Sequence, residues 1–365
     1  MKQHKHIICV AVVALLFAAM TLSAWFLPTR TFSDSERRKL AQFPSLSFGT
    51  LLDGSFMSDF ETYTQDQFPL RDSLRTLKSL AVYYAFAQSD NNGIVLEDGY
   101  AAKLEYPLSE DSLAYAANRF AYIYDRYLAD KDMDIYLSIV PDKSYFLADS
   151  GKYPAMDYEK LFSDMQAQMP YATYLDIVGT LDISDYYKTD THWRQEKLTD
   201  TASVLANGMG VTLSGQYTVE TLNHPFYGVY YGQSALPLPA ETIHYLTNDT
   251  LNACLATNHE ANTTGGLYDM EKAVGKDPYE MFLSGSLPLI TIENPNAQTD
   301  RELIIFRDSF GSSIAPLLAE GYSTVTLIDI RYLRADFLDR FVTFDQQDVL
   351  FLYSTLVLNN SETLT

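Results

Sequence analysis

Short apolar strands alternating with helices constrain this chain most. The run MDIYLSIV, residues 133–140, has the length and apolar continuity of a strand buried on both faces. It follows a helix that Ser109 opens, with acids in the first turn and an apolar stripe at Leu113, Ala117, Phe120, Tyr124 and Tyr127. A second helix is expected over Tyr158–Met169 and a second strand at ATYLDIV, residues 172–178. Further on, Leu303–Phe306 is another short apolar strand, Arg307-Asp308-Ser309 reads as a turn, and Phe310–Glu320 has helical composition with Gly321 to stop it. The alternation predicts an α/β domain whose central, mostly parallel sheet is covered on both faces.

The domain begins near residue 91, where NNGIVLEDGY carries Asn-Gly and Asp-Gly turn signals around an apolar run and predicts a hairpin. Residues 31–90 are expected to form a helical stalk, broken at Pro69, with Leu74, Leu77, Leu80 and Ala81 on one face of its second helix. Residues 211–295, rich in Tyr, Thr, Asn and Gly, read as an insertion in the 91–365 domain.

The N-terminus sets the compartment. From Ile7 to Leu27 there is no charged residue, two lysines precede the run, and Trp25 and Phe26 stand where an interfacial aromatic belt would be. The length favours an uncleaved span within an anchor of residues 1–30 over a signal cut after the LSA of residues 22–24. In either case the chain is exported, and the expected location is the cell membrane, single-pass, with the C-terminal domain outside the cytoplasm. Arg30, Arg37, Arg38 and Lys39 beyond the span dilute the orientation signal. With Cys9 in the span and Cys254 alone beyond it, the exported part has no internal disulfide.

Charge excludes one class of partner. Residues 1–30 hold three basic side chains and no acid, so the rest carries a formal charge of −24 out of the chain's −21. Such a surface repels phosphate backbones, which argues against nucleic acid. The remaining histidines of the insertion, His224, His244 and His259, lack ligand spacing, so no metal is expected, and no phosphate loop points to a nucleotide cofactor.

Two stretches carry chemistry. In RDSFGSS, Ser309 stands just past a strand and at the start of a helix, where backbone amides can hold an oxyanion. Its neutral hydroxyl needs a base. In YYKTDTHW, residues 186–193, Asp190 and His192 are two apart in a loop and can supply that base and its orienting carboxylate. The plainer alternatives are a solvated polar turn and an ordinary helix cap. Arg331 and Tyr332 follow a strand, at the sheet edge where α/β proteins bind ligands, and are candidates for holding an acyl or sugar group, with a structural ion pair as the alternative for Arg331. Lys143 has the same two readings. Trp193, Tyr227 and Tyr230 are candidate sugar-facing aromatics.

These blocks resemble a known family. FETYTQDQFPLRD, NNGIVLEDGY, VPDKSYF, YYKTDTHW, HPFYGVYYG, FRDSFGSSIAPLLAEGY and LIDIRYL are similar to those of the DHHW family, exported bacterial relatives of the alginate O-acetyltransferases. The resemblance implies an SGNH-hydrolase-like three-layer sandwich in which Asp190, His192 and Ser309 form the triad. It also implies acetyl transfer to a cell-envelope or secreted polysaccharide, with a multi-spanning membrane O-acyltransferase as acetyl donor. Two positions depart from the pattern: Thr191 replaces the second His of the name motif, and Ser354 stands where relatives often have Asn after Tyr353. A carbohydrate esterase with the same triad, or a catalytically silent carbohydrate-binding scaffold, are the alternatives.

Overall fold

The computed structural model describes residues 2–33, 35–148 and 150–365; the side chains of residues 2–5 and of Trp25, expected in the aromatic belt, lie outside the described residues. The chain forms two compact units, one of residues 1–92 with 231–237 and the other of 93–230 with 238–365.

In the first unit Lys2–Phe26 is one helix, and its His6–Ala24 stretch is long and apolar enough to cross a membrane or to serve as a signal sequence. Helices follow over Ser55–Asp66 and Arg71–Leu80, separated at Pro69 with Leu70 in the left-handed region. The expected apolar face of the second helix is not a core face: Leu74, Leu77 and Leu80 are exposed, and Ser79 is the buried residue. The segment after the long helix is instead fixed by charge and polar bonds. Asp66 accepts from Arg38 and from the Ala41 amide, and Gln67 bonds the backbone at Arg30 and Ala41.

The second unit is built on an eight-stranded sheet. Its strands in chain order are β1 (Ile135–Val140), β2 (Thr173–Tyr174), β3 (Leu255–Asn258), β4 (Thr263–Gly265), β5 (Leu289–Glu293), β6 (Glu302–Arg307), β7 (Thr324–Ile328) and β8 (Asp348–Ser354). The spatial order is β4-β3-β5-β7-β6-β8-β1-β2, parallel from β7 through β2 and antiparallel on the β4-β3-β5 side. Residues 211–295 are therefore more than an insertion, since β3, β4 and β5 all come from them. The strand expected at 172–178 is only two residues long, and Arg307 belongs to β6 rather than to the turn.

The alternation of side chains along each strand feeds two cores. Leu303, Ile305, Leu350 and Leu352 face one, with the helices Thr199–Gly208 and Gly311–Leu318 packed on it. Ile304, Phe306, Val349, Phe351 and Tyr353 face the other, under Glu110–Ile123 and Tyr158–Gln168. Both sides of the central strands β1, β6 and β8 are thus dry, which is what near-continuous apolar strands require. At about 1.5–3 kcal/mol for each large apolar side chain removed from water, these two layers hold the domain without a disulfide; Cys254 is free and buried. The hairpin Ile94–Glu97 with Tyr100–Lys103 forms as expected, with Asp98 and Gly99 at φ 50° and 83° in its turn.

Candidate active site

The C-terminal edge of the parallel strands gathers the polar residues singled out above. β6 ends at Arg307 and delivers Asp308 and Ser309; the helix Gly311–Leu318 starts two residues later. Ser309 is partly exposed between buried neighbours. Asp308 is fully buried and fixes the turn: one carboxylate oxygen accepts from the Phe310 amide at 3.0 Å, the other from the Ser354 amide and hydroxyl at 2.8 and 2.6 Å. Ser354 therefore orients the turn through Asp308, and its hydroxyl is committed there.

The Asp-x-His loop reaches the serine from the other side. Tyr186 and Trp193 pair across its base, and the Tyr187 amide donates to the His192 carbonyl at 3.0 Å, closing residues 187–192 into a tight loop. Glu241 accepts from the amides of Lys188 and Thr189 and from the Thr189 hydroxyl. The backbone 228–230 also lies directly against it, with Gly228 N donating to Thr189 Oγ1, Val229 N to Asp190 Oδ2 and Tyr230 N to the Thr189 carbonyl. A Cβ on Gly228 would stand 2.2 Å from the Thr189 carbonyl oxygen, so only glycine permits this approach.

These supports bring three predicted residues into one chain of hydrogen bonds. His192 Nε2 is 2.8 Å from Ser309 Oγ, and His192 Nδ1 is 2.6 Å from Asp190 Oδ1. Asp190 is 1% exposed at its side chain and His192 13%. Asp190 also accepts from the His192 amide, so the carboxylate fixes both the ring and its backbone. The arrangement is that of a nucleophile, a base and an orienting acid, with the serine on the solvent side.

Three other expected site residues are structural. Trp193 is fully buried and donates through Nε1 to Ser313 Oγ at 2.8 Å, anchoring the loop to the helix after Ser309. Tyr230 is 4% exposed, its hydroxyl bonded to Thr191, and cannot present a face to a sugar. Lys143 is buried, with its ammonium over the Tyr230 ring and donating to the carbonyls of Tyr187 and Lys188; burial lowers it to about 7 against the pull of Asp190, Glu241 and Asp142. Trp193 and Tyr230 brace the Asp-x-His loop rather than face a sugar, and Lys143 takes the structural of its two readings.

Arg331 takes the ion-pair reading. Its guanidinium grips Asp329 at 2.6 and 2.9 Å, and that pair more than offsets burial in holding it above the ordinary arginine range. Buried Arg307 lies 3.8 Å from the same carboxylate, and desolvation lowers it. Tyr332 and Tyr227 remain at the surface. Sequence reasoning missed Tyr279, which stacks on His192; nothing in KDPYE marks it. It also missed Asp308 and Glu241. Among the described residues no group of His, Cys, Asp and Glu is arranged to hold a metal ion.

Solved structures share this architecture. A DHHW family protein from Eubacterium siraeum superposes with a TM-score of 0.58 and 21% identity, over 75% of this chain and 95% of that one. The chain has the fold of a DHHW family protein. PatB1 from Bacillus cereus, solved with a sulfonyl adduct, matches with a TM-score of 0.58 and 20% identity, over 73% of this chain and 95% of its own. The O-acetyltransferase domain of AlgJ from Pseudomonas putida is a weaker likeness, with a TM-score of 0.46 and 14% identity over 73% and 92% of the two chains. No protein-family model and no curated protein matches the sequence.

Proposed function

We propose that this chain is an exported, membrane-anchored serine O-acetyltransferase of the SGNH-hydrolase-like type, moving an acetyl group onto hydroxyls of a cell-envelope or secreted polysaccharide. The observation that carries the reading is the Ser309–His192–Asp190 chain, with contacts of 2.8 and 2.6 Å at the C-terminal edge of a parallel sheet. Two sequence blocks 117 residues apart converge on hydrogen-bond geometry that an incidental turn and cap have no reason to produce.

His192 Nε2 takes the Ser309 proton as Oγ forms a bond to the acetyl carbonyl carbon of an ester donor. The tetrahedral intermediate collapses, the donor's ester C–O bond breaks, and the proton passes from Nε2 to the leaving oxygen. In the second half a sugar hydroxyl gives its proton to Nε2 and attacks the acetyl-serine, and the proton then returns to Ser309. Asp190 holds Nδ1–H in place and offsets the positive charge of the imidazolium. The Ser309 amide is the oxyanion donor this reading assigns. The acetyl source is a membrane O-acyltransferase facing the same compartment, since no cytoplasmic donor reaches an exported domain.

Supplying the full-length protein in detergent with an activated acetyl ester and an oligosaccharide tests the reading. Acetyl recovered on sugar supports transfer; only free acetate makes the protein an esterase.

A further inference from the structure

The Tyr279 ring lies face to face with the His192 imidazole, 3.9 Å between centroids and 9° between planes. Two neutral rings stacked in this way gain a modest attraction. The attraction strengthens when one ring carries positive charge, as an imidazolium over a phenol face does. In the proposed mechanism His192 gains that charge when Nε2 takes the Ser309 proton.

Tyr279 is held for this contact. Asp277 caps the short turn Pro278–Met281, and the Tyr279 hydroxyl donates to Ser313 Oγ at 2.8 Å, the same oxygen that receives Trp193. Phe282 packs on the Tyr279 ring at 5.0 Å and Tyr187 meets it edge-on at 6.2 Å. Phe310 lies 5.1 Å from the imidazole. Tyr279 is 5% exposed, so water does not weaken the contact.

We propose that Tyr279 is a positioning residue for His192, fixing the plane of the imidazole and attracting the ring most strongly while it holds the Ser309 proton. The inference rests on the triad reading. In the step concerned the Ser309 Oγ–H bond breaks, an Nε2–H bond forms, Oγ bonds the acyl carbon, and the proton leaves with the donor's alcohol. An attraction present in that transition state and weak in the resting state raises kcat and leaves KM alone.

The test is the pre-steady-state acylation of Ser309 by p-nitrophenyl acetate, using full-length protein in detergent and resolving rate constant from ester affinity. Tyr279→Phe keeps the face and loses only the Ser313 bond, and should stay within about threefold of wild type. Tyr279→Leu and Tyr279→Met remove the face and should lower the rate constant by about tenfold or more at unchanged ester affinity; Met fills the space flexibly should Leu fail to fold. Both ringless variants acylating like wild type would overturn the inference, as would a Phe variant as slow as they are. A wild-type chain that never acylates is a different result: it removes the triad reading, and this inference with it.

Discussion

Gly228→Ala is the smallest change that should disable the site from outside it. The added Cβ would stand 2.2 Å from the Thr189 carbonyl oxygen and 2.3 Å from the Asp190 nitrogen, both backbone atoms that cannot rotate away. One segment must retreat by about 1 Å to reach ordinary contact. Overpacking of this kind costs about 1–3 kcal/mol of stability. The larger effect falls on the triad, because Val229 N holds Asp190 Oδ2 at 2.8 Å and moves with Gly228. A displacement of about 1 Å in a catalytic group lowers a rate by about 100-fold. Measuring Ser309 labelling by a sulfonyl fluoride alongside the melting temperature separates the two effects. Gly265→Ala is the control, since nothing lies within 4 Å of a Cβ there. Labelling of Gly228→Ala at the wild-type rate would refute the claim that this contact sets the position of Asp190.

Two further outcomes are expected. Burial lowers Lys143 to about 7, so from there up to its unfolded value near 10.4 the unfolded chain holds a proton that the folded one lacks. Stability relative to Lys143→Met should therefore rise with pH across that window, by up to about 1.4 kcal/mol per pH unit, and denaturant curves that stay parallel from pH 7 to 9 would contradict the burial argument. The uncharged run from Ile7 to Leu27 should keep the full-length protein in the membrane fraction after carbonate washing; recovery of a mature chain beginning near Trp25 would show a cleaved signal instead.

The sheet was legible because strands dry on both faces must be apolar throughout, as Ile135–Val140 is apart from Ser138, and because Ser109 marks its helix start by a side-chain cap. The antiparallel strands β3 and β4 were hidden: LATN is short and half exposed and TTG is short, polar and exposed, so no periodicity sets them apart from loop. The Asp-x-His pair and Ser309 were readable from local context, a loop and a strand-to-helix turn. What supports them was not. Glu241, Gly228 and Tyr279 act through contacts across 39 or more residues, and residue type does not say whether an aromatic faces sugar or imidazole. Trp193 and Tyr230 were misplaced for that reason: both are large aromatics beside the triad, and in both the polar end found a partner inside the protein. Lys143 followed the same course through two backbone carbonyls.

The central claim is that Ser309 is a nucleophile activated by His192. Intact-mass measurement of the full-length protein after exposure to an activated acetyl ester, followed by peptide mapping, tests it most directly. One acetyl group on Ser309 is expected, absent in Ser309→Ala and reduced by orders of magnitude in His192→Ala and Asp190→Asn. A folded wild-type chain that takes up no acetyl at Ser309, with its membrane partner present and with every ester donor supplied, would contradict it.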